Sequence, residues 1–224
     1  MTALINPLRA WWFWLLALAI PPLVLWGDRP LALYLKTSPA WFQDIFQVIT
    51  IAGEAHYALV PAGLLGLTFF FWARRTENAT VKTARFHIAQ AAGFVFACVA
   101  LGGIATNIFK SLFGRARPRL LFREETYGFD PLVVSSNWNS FPSGHTNTAI
   151  TATLALAMLL PKWRWPLLMV GAVIAFSRIA VTAHFAADVV GGTLLAVLVC
   201  WWLGGYFSAR GWLFEATPKG LTRR

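Results

Sequence analysis

Between residues 110 and 188 the chain collects polar groups at the ends of apolar stretches. They are Lys110, Arg117, the run Pro142-Ser143-Gly144-His145, the pair Ser177-Arg178, and then His184 and Asp188. An ionisable residue at the end of a membrane helix is a functional candidate by default. Lys110, Arg117 and Arg178 supply three positive donors. Arginine offers a planar fork that matches phosphate oxygens, and lysine a compact point charge. Ser143 and Gly144 precede a helical stretch, where orphan N–H groups and the helix dipole favour an anion. Glycine also lets a ligand approach the backbone closely. His184 and Asp188 are four residues apart and share a face if the last helix begins before His184. A carboxylate bonded to one ring nitrogen fixes the tautomer and makes the other nitrogen a better nucleophile. His145 could protonate a leaving oxygen as general acid. Three cations and the N–H groups would stabilise a five-coordinate phosphoryl transition state.

A metal centre is the competing reading, because two histidines and an aspartate could ligate zinc. Lys110, Arg117 and Arg178 would repel a cation placed among them. Magnesium wants oxygen ligands, and Asp188 is the one acid among these positions. No metal and no cofactor is expected.

Six stretches approach the roughly 20 apolar residues that a hydrocarbon core requires. They cover residues 10–26, 55–73, 88–109, 143–160, 166–182 and 189–207. Residues 39–54 are only moderately apolar and are expected as a short helix at the interface. The first stretch is read as an uncleaved helix, since no small-x-small cleavage pattern follows Trp26. Counting crossings brings the polar groups together. The third span exits where the fourth enters, and the fourth and fifth cross and return. Lys110, Arg117, His145, Arg178, His184 and Asp188 are therefore expected at one face.

Composition agrees with a membrane chain. It is 58% hydrophobic and 12% charged, where a soluble domain carries about 25% charged residues. One integral membrane domain over residues 1–224 is expected. The net charge of +10 is assigned to basic loops, because there is no polar domain to carry a nucleic-acid surface. With the N-terminus inside, one side holds 11 basic residues against Glu77 and Glu215, and the other holds 8 against 7 acids. The basic side is expected to be cytoplasmic, which puts both termini there and the polar cluster on the outer face. Cys98 and Cys200 sit inside apolar runs as packing residues. Gly191-Gly192 and Gly204-Gly205 suit close helix packing.

The order Lys110-x6-Arg117-Pro118, Pro142-Ser143-Gly144-His145 and Ser177-Arg178-x5-His184-x3-Asp188 resembles the three-part signature of the type 2 phosphatidic acid phosphatase (PAP2) superfamily. Every signature position is filled. The resemblance implies an all-α bundle of about six membrane helices with its site at the outer face. It implies His184 as nucleophile, Asp188 orienting it and His145 as general acid. Lys110, Arg117, Ser143, Gly144 and Arg178 would hold the phosphate, without a metal. Soluble relatives include vanadium-dependent haloperoxidases, a role that six hydrophobic spans argue against.

The partner expected is a lipid phosphate: phosphatidic acid, phosphatidylglycerol phosphate, undecaprenyl pyrophosphate or lipid A. Asn137-Trp138-Asn139 and the 119–136 loop are expected to carry most headgroup selectivity. Arg115, Arg119 and Arg123 are read as solvated loop charges, with a contact to an extra phosphate as the alternative. His56 and His87 are read as non-catalytic. Transfer of the phosphoryl group to a lipid hydroxyl uses the same intermediate and stays open. A transporter or scramblase fits less well, since no span is clearly broken midway around a central polar site. A bacterial inner membrane with a periplasmic site is the default location. The sequence does not set the oligomeric state.

Overall fold

A computed structural model describes residues 6–133, 135–217 and 220–223. Lys219 and Arg224, which enter the charge balance, lie outside the described residues. The first helix, α1 (Trp11–Pro22), contains Pro21 and Pro22. Proline has no N–H to donate, and the chain passes through a π-helical turn, Leu23–Gly27, into α2 (Asp28–Lys36). Then follow α3 (Ala40–Ile51), α4 (His56–Arg74) and α5 (Ala79–Phe113). A short α6 (Pro118–Glu124) precedes α7 (Gly144–Leu159), α8 (Arg164–Ala180) and α9 (Ala186–Ala209).

Among the described residues, four helical segments are long and apolar enough to cross a membrane: Trp11–Lys36, Ala40–Arg74, Ala79–Phe113 and Ala186–Ala209. Of the six expected spans, the fourth and fifth fall short in length. They are α7 and α8, of 16 and 17 residues. The first and third expected spans run longer than anticipated: α2 accommodates Pro30 in its first turn and carries on to Lys36, and Asn78 caps α5. Residues 39–54, expected as an interfacial helix, form the helix α3, which runs on with α4 in the apolar segment Ala40–Arg74; its Phe46 meets Phe176 of α8 at 5.4 Å between ring centres.

The all-α expectation needs one correction. Phe214–Thr217 (β1) and Gly220–Arg223 (β2) pair antiparallel, Phe214 opposite Arg223. Phe214 is buried, and its ring meets Phe94 of α5 at 4.9 Å. An aromatic anchor in the core overrides the polar character of this segment.

Helix α7 sits centrally, against α5, α8 and α9. Most of its residues are buried, including Thr146, Asn147 and Thr151. Small residues make this possible. A Cβ on Gly192 of α9 would lie 2.6 Å from the Ser143 carbonyl, so only glycine lets α9 approach the start of α7 this closely. A Cβ on Gly204 would stand 2.8 Å and 2.9 Å from the flexible ends of the Leu221 and Met158 side chains, which can give way, whereas Gly205 faces open space. Cys98 and Cys200 are free and buried in the core with Phe94, Leu154 and Phe207. The outer faces are apolar: Leu18 is 70% exposed, Leu64 62% and Ile104 57%. So much exposed apolar surface belongs in a bilayer.

Candidate active site

Four helix ends and the loops between them build a single polar centre. Lys110 lies in the last turn of α5, which Gly114 closes in the left-handed conformation, φ 54°. A Cβ there would overlap the Asp130 carbonyl, so this turn requires glycine. Lys110 Nζ lies 3.4 Å from where a Cβ on Gly144 would stand, at the first turn of α7. Ser143 caps that helix, its hydroxyl accepting from Thr146 N at 3.4 Å. The Ser143 N–H donates to the Asp188 carbonyl at 2.9 Å and ties the start of α7 to the start of α9.

Arg117 is held by loop carbonyls. Nε donates to Ser136 O at 3.0 Å and Nη2 to Asn139 O at 3.2 Å. Burial and the neighbouring Arg119 charge lower the Arg117 pKa from its usual value. Arg178, in the last turn of α8, is buried and donates through Nη1 to Thr50 of α3. Its Nε is buried without a protein partner among the described residues. His145 is half-buried beside Gly53, where a Cβ would lie 3.3 Å from His145 Cβ. The charges of Arg178, Lys110 and Arg117 all act on its ring.

His184 precedes α9 and is 3% exposed. Its Nδ1 lies 3.5 Å from Asp188 Oδ2, longer than an ordinary hydrogen bond. The expectation that both residues share a helical face does not hold, because α9 begins at Ala186, after His184. Asp188 instead folds back over the helix start and accepts from Phe185 N at 2.9 Å. The capping role and the contact with His184 belong to the same carboxylate. With Nδ1 turned to Asp188, the far ring nitrogen, Nε2, is left for another partner. Burial pushes the His184 pKa down to about 3, against the opposing pull of Asp188, and Arg117 and Arg178 add to the lowering.

Arg115 corrects the reading of a solvated loop charge. It is fully buried, Nη1 donating to Asp188 Oδ1 at 2.6 Å and Nη2 to Asp28 Oδ2 at 2.7 Å. Burial opposes its charge, but Asp188 and Asp28 outweigh that and raise its pKa. Arg119 and Arg123 are exposed as expected, Arg119 donating to Ser136 Oγ at 3.2 Å. The 119–136 segment is partly helical, as α6, with Leu120 and Leu121 buried. His56 and His87 are exposed, His56 lying 3.4 Å from Glu54.

Three polar residues of the centre escaped the sequence reading, Asp28, Thr50 and Ser140, and Arg115 was given the wrong surroundings. Ser140 Oγ donates to Asp188 Oδ2 at 2.6 Å. Asp28 had a usable signal, an acid directly after an apolar run, and Arg115 sits only five positions beyond Lys110. Among the described residues, no three or more His, Cys, Asp or Glu side chains group so as to hold a metal ion.

Two histidines, one of them backed by a carboxylate, gather with Lys110, Arg117 and Arg178 around the start of α7, an arrangement suited to an anionic phosphate group. The chain is also similar to known phosphatases. The chain is 27% identical over 188 residues to the lipid A 1-phosphatase of Rhizobium johnstonii, covering 82% of this chain and 75% of that one. It is 33% identical over 115 residues to the undecaprenyl-diphosphatase of Sulfolobus acidocaldarius, covering 51% and 52%. The crystal structure of a transmembrane PAP2-type phosphatidylglycerolphosphate phosphatase from Bacillus subtilis superposes with a TM-score of 0.61 at 22% identity, over 88% of this chain and 93% of that one. The PAP2 superfamily profile matches residues 91–212, across all three motifs, and the chain belongs to that superfamily as a membrane phosphatase.

Proposed function

We propose that the protein hydrolyses a lipid phosphate monoester or diphosphate at the outer face of the membrane, through a phosphohistidine on His184. The observation that carries this reading is the buried His184–Asp188 pair set against Lys110, Arg117 and Arg178 at the start of α7. The lone pair of the far His184 nitrogen attacks phosphorus, and the bond to the lipid oxygen breaks. His145 gives that oxygen its proton. Water then attacks the phosphohistidine, His145 takes the water proton, and the P–N bond breaks. Lys110, Arg117, Arg178 and the Gly144 N–H hold the phosphoryl oxygens, while Ser143, whose N–H is taken by the Asp188 carbonyl, fixes the start of α7, and Arg178 Nε gains the partner it lacks. The mechanism needs no metal.

A lipid substrate is supported by an apolar cavity of about 590 Å³ between α4, α5, α7 and α8. Ala52 and Ile174 line it next to Gly53 and His145, and Leu159 and Leu160 line its far end. A tail can lie there while its phosphate reaches His184. The named relatives act on lipid A and undecaprenyl diphosphate, both lipid phosphates. In this reading α7 and α8 complete six crossings. At about 1.5 Å per residue they extend roughly 24–26 Å, close to the hydrocarbon thickness of about 30 Å. The loop charges support both termini in the cytoplasm and the site outside, and a bacterial inner membrane is the location we propose.

The test is phosphate release from a panel of lipid phosphates and diphosphates in detergent with EDTA. The intact protein is expected to release phosphate from at least one member, and His184→Ala from none. Undiminished release by His184→Ala would refute the mechanism.

A further inference from the structure

We propose that Arg115 and Asp28 are positioning residues that hold Asp188 as an oriented anion behind His184, an inference that rests on the phosphohistidine reading. The observation is a chain of buried charges drawn from three distant segments. Asp28 opens α2, Arg115 follows α5, and Asp188 lies in the first turn of α9. Asp28, Arg115 and Asp188 are each at most 1% exposed.

The guanidinium divides its donors between two carboxylates. Nη1 takes Asp188 Oδ1 at 2.6 Å. Nη2 takes Asp28 Oδ2 at 2.7 Å and Tyr127 Oη at 3.0 Å. Phe185, Phe129 and Tyr127 surround it, with ring centres 4.6, 5.3 and 5.6 Å from its central carbon. The other oxygen of Asp28 accepts from Ala187 N at 3.1 Å, so the same acid also caps α9.

A buried ion pair is weak evidence for a stability role, since desolvation offsets the Coulomb gain. The division of oxygens points elsewhere. Arg115 occupies Oδ1 of Asp188, which leaves Oδ2 for Ser140, Phe185 N and His184. This pins the rotation of the carboxylate. The count of charges matters as well. Asp28, Arg115 and Asp188 together carry one net negative charge. A phosphorylated imidazole carries a positive charge on its ring, and the net negative charge faces it. Without Arg115, two carboxylates would share a dry site and one would take up a proton. Without Asp28, Asp188 would be neutralised by Arg115 and would stabilise the ring less.

The experiment measures kcat, KM and detergent thermal stability for Arg115→Met, Asp28→Asn, the double variant and His184→Ala. Arg115→Met is expected to lower kcat by about 10- to 100-fold with KM within about twofold, the usual scale for losing an orienting partner. Asp28→Asn is expected to lower kcat by about 10-fold with KM similarly preserved. The double variant is expected to be no slower than Arg115→Met, because Asp28 acts through Arg115. Should Arg115→Met fail to fold, the kcat and KM of Asp28→Asn decide the matter alone. Unchanged kcat in the folded variants, losses carried by KM, or multiplying losses in the double variant would overturn the proposal. An inactive His184→Ala beside fully active Arg115→Met and Asp28→Asn would remove this inference and leave the phosphohistidine reading standing. An active His184→Ala would remove both.

Discussion

His184 Nδ1 and Asp188 Oδ2 face each other across 3.5 Å with both side chains sealed from solvent. Burial is the stronger influence on the ring, and it holds the His184 pKa down at about 3. The imidazole is therefore neutral at every physiological pH, as a nucleophile must be.

This has a consequence for stability. The folded His184 pKa of about 3 lies below the ordinary value of 6.5. The unfolded chain binds the extra proton first. The contribution of His184 is fully present above about pH 6.5 and is lost as pH falls toward 3. In ¹⁵N spectra of ring-labelled protein, the His184 nitrogens are expected to keep neutral-imidazole shifts from pH 8 down to pH 5. A titration centred near 6.5 would contradict the buried environment.

Gly192 tests the contact between α9 and α7. A Cβ there would stand 2.6 Å from the Ser143 carbonyl and 3.2 Å from Thr146 Cβ. Gly192→Ala is expected to destabilise the protein by about 1–3 kcal/mol, the range for overpacking a filled interior. Gly205→Ala, with open space around it, is expected to be neutral. Detergent thermal melts of the two variants compare them directly.

Thr50 tests how Arg178 is aimed. Its hydroxyl accepts from Arg178 Nη1, and both residues are buried. Thr50→Val removes that acceptor at nearly constant volume. A hydrogen bond to a charged group is worth about 1.5–3 kcal/mol, so KM is expected to rise about 10-fold or more, with kcat little altered. Steady-state kinetics on the best lipid of the panel provide the check, and an unchanged KM would mean that Arg178 is aimed by other contacts.

The centre was legible where short motifs met crossing order. Lys110, Arg117, His145, Arg178, His184 and Asp188 announce themselves by charge at the ends of apolar runs, and counting crossings brings them to one face. Arg115 was not legible, because its partners Asp28 and Asp188 lie 87 and 73 residues away. Beside Arg117 and Arg119 it reads as one more loop cation. Asp188 was recognised, but not its fold-back over the start of α9, since two residues of helix boundary decide that geometry. The helices were legible from apolar length, and α7 fell short because its first turn is spent on the site. The β1–β2 pair was hidden because Phe214 gains its burial from Phe94, 120 residues earlier in the sequence.

The most direct measurement is to trap the intermediate. The protein is mixed with lipid substrate carrying ³²P in the phosphate to be released, quenched in alkaline detergent, and digested. Acid-labile, base-stable label is expected on the peptide that contains His184, and none from His184→Ala. Label on a serine or aspartate, or none from an active protein sampled during turnover, would contradict the phosphohistidine mechanism.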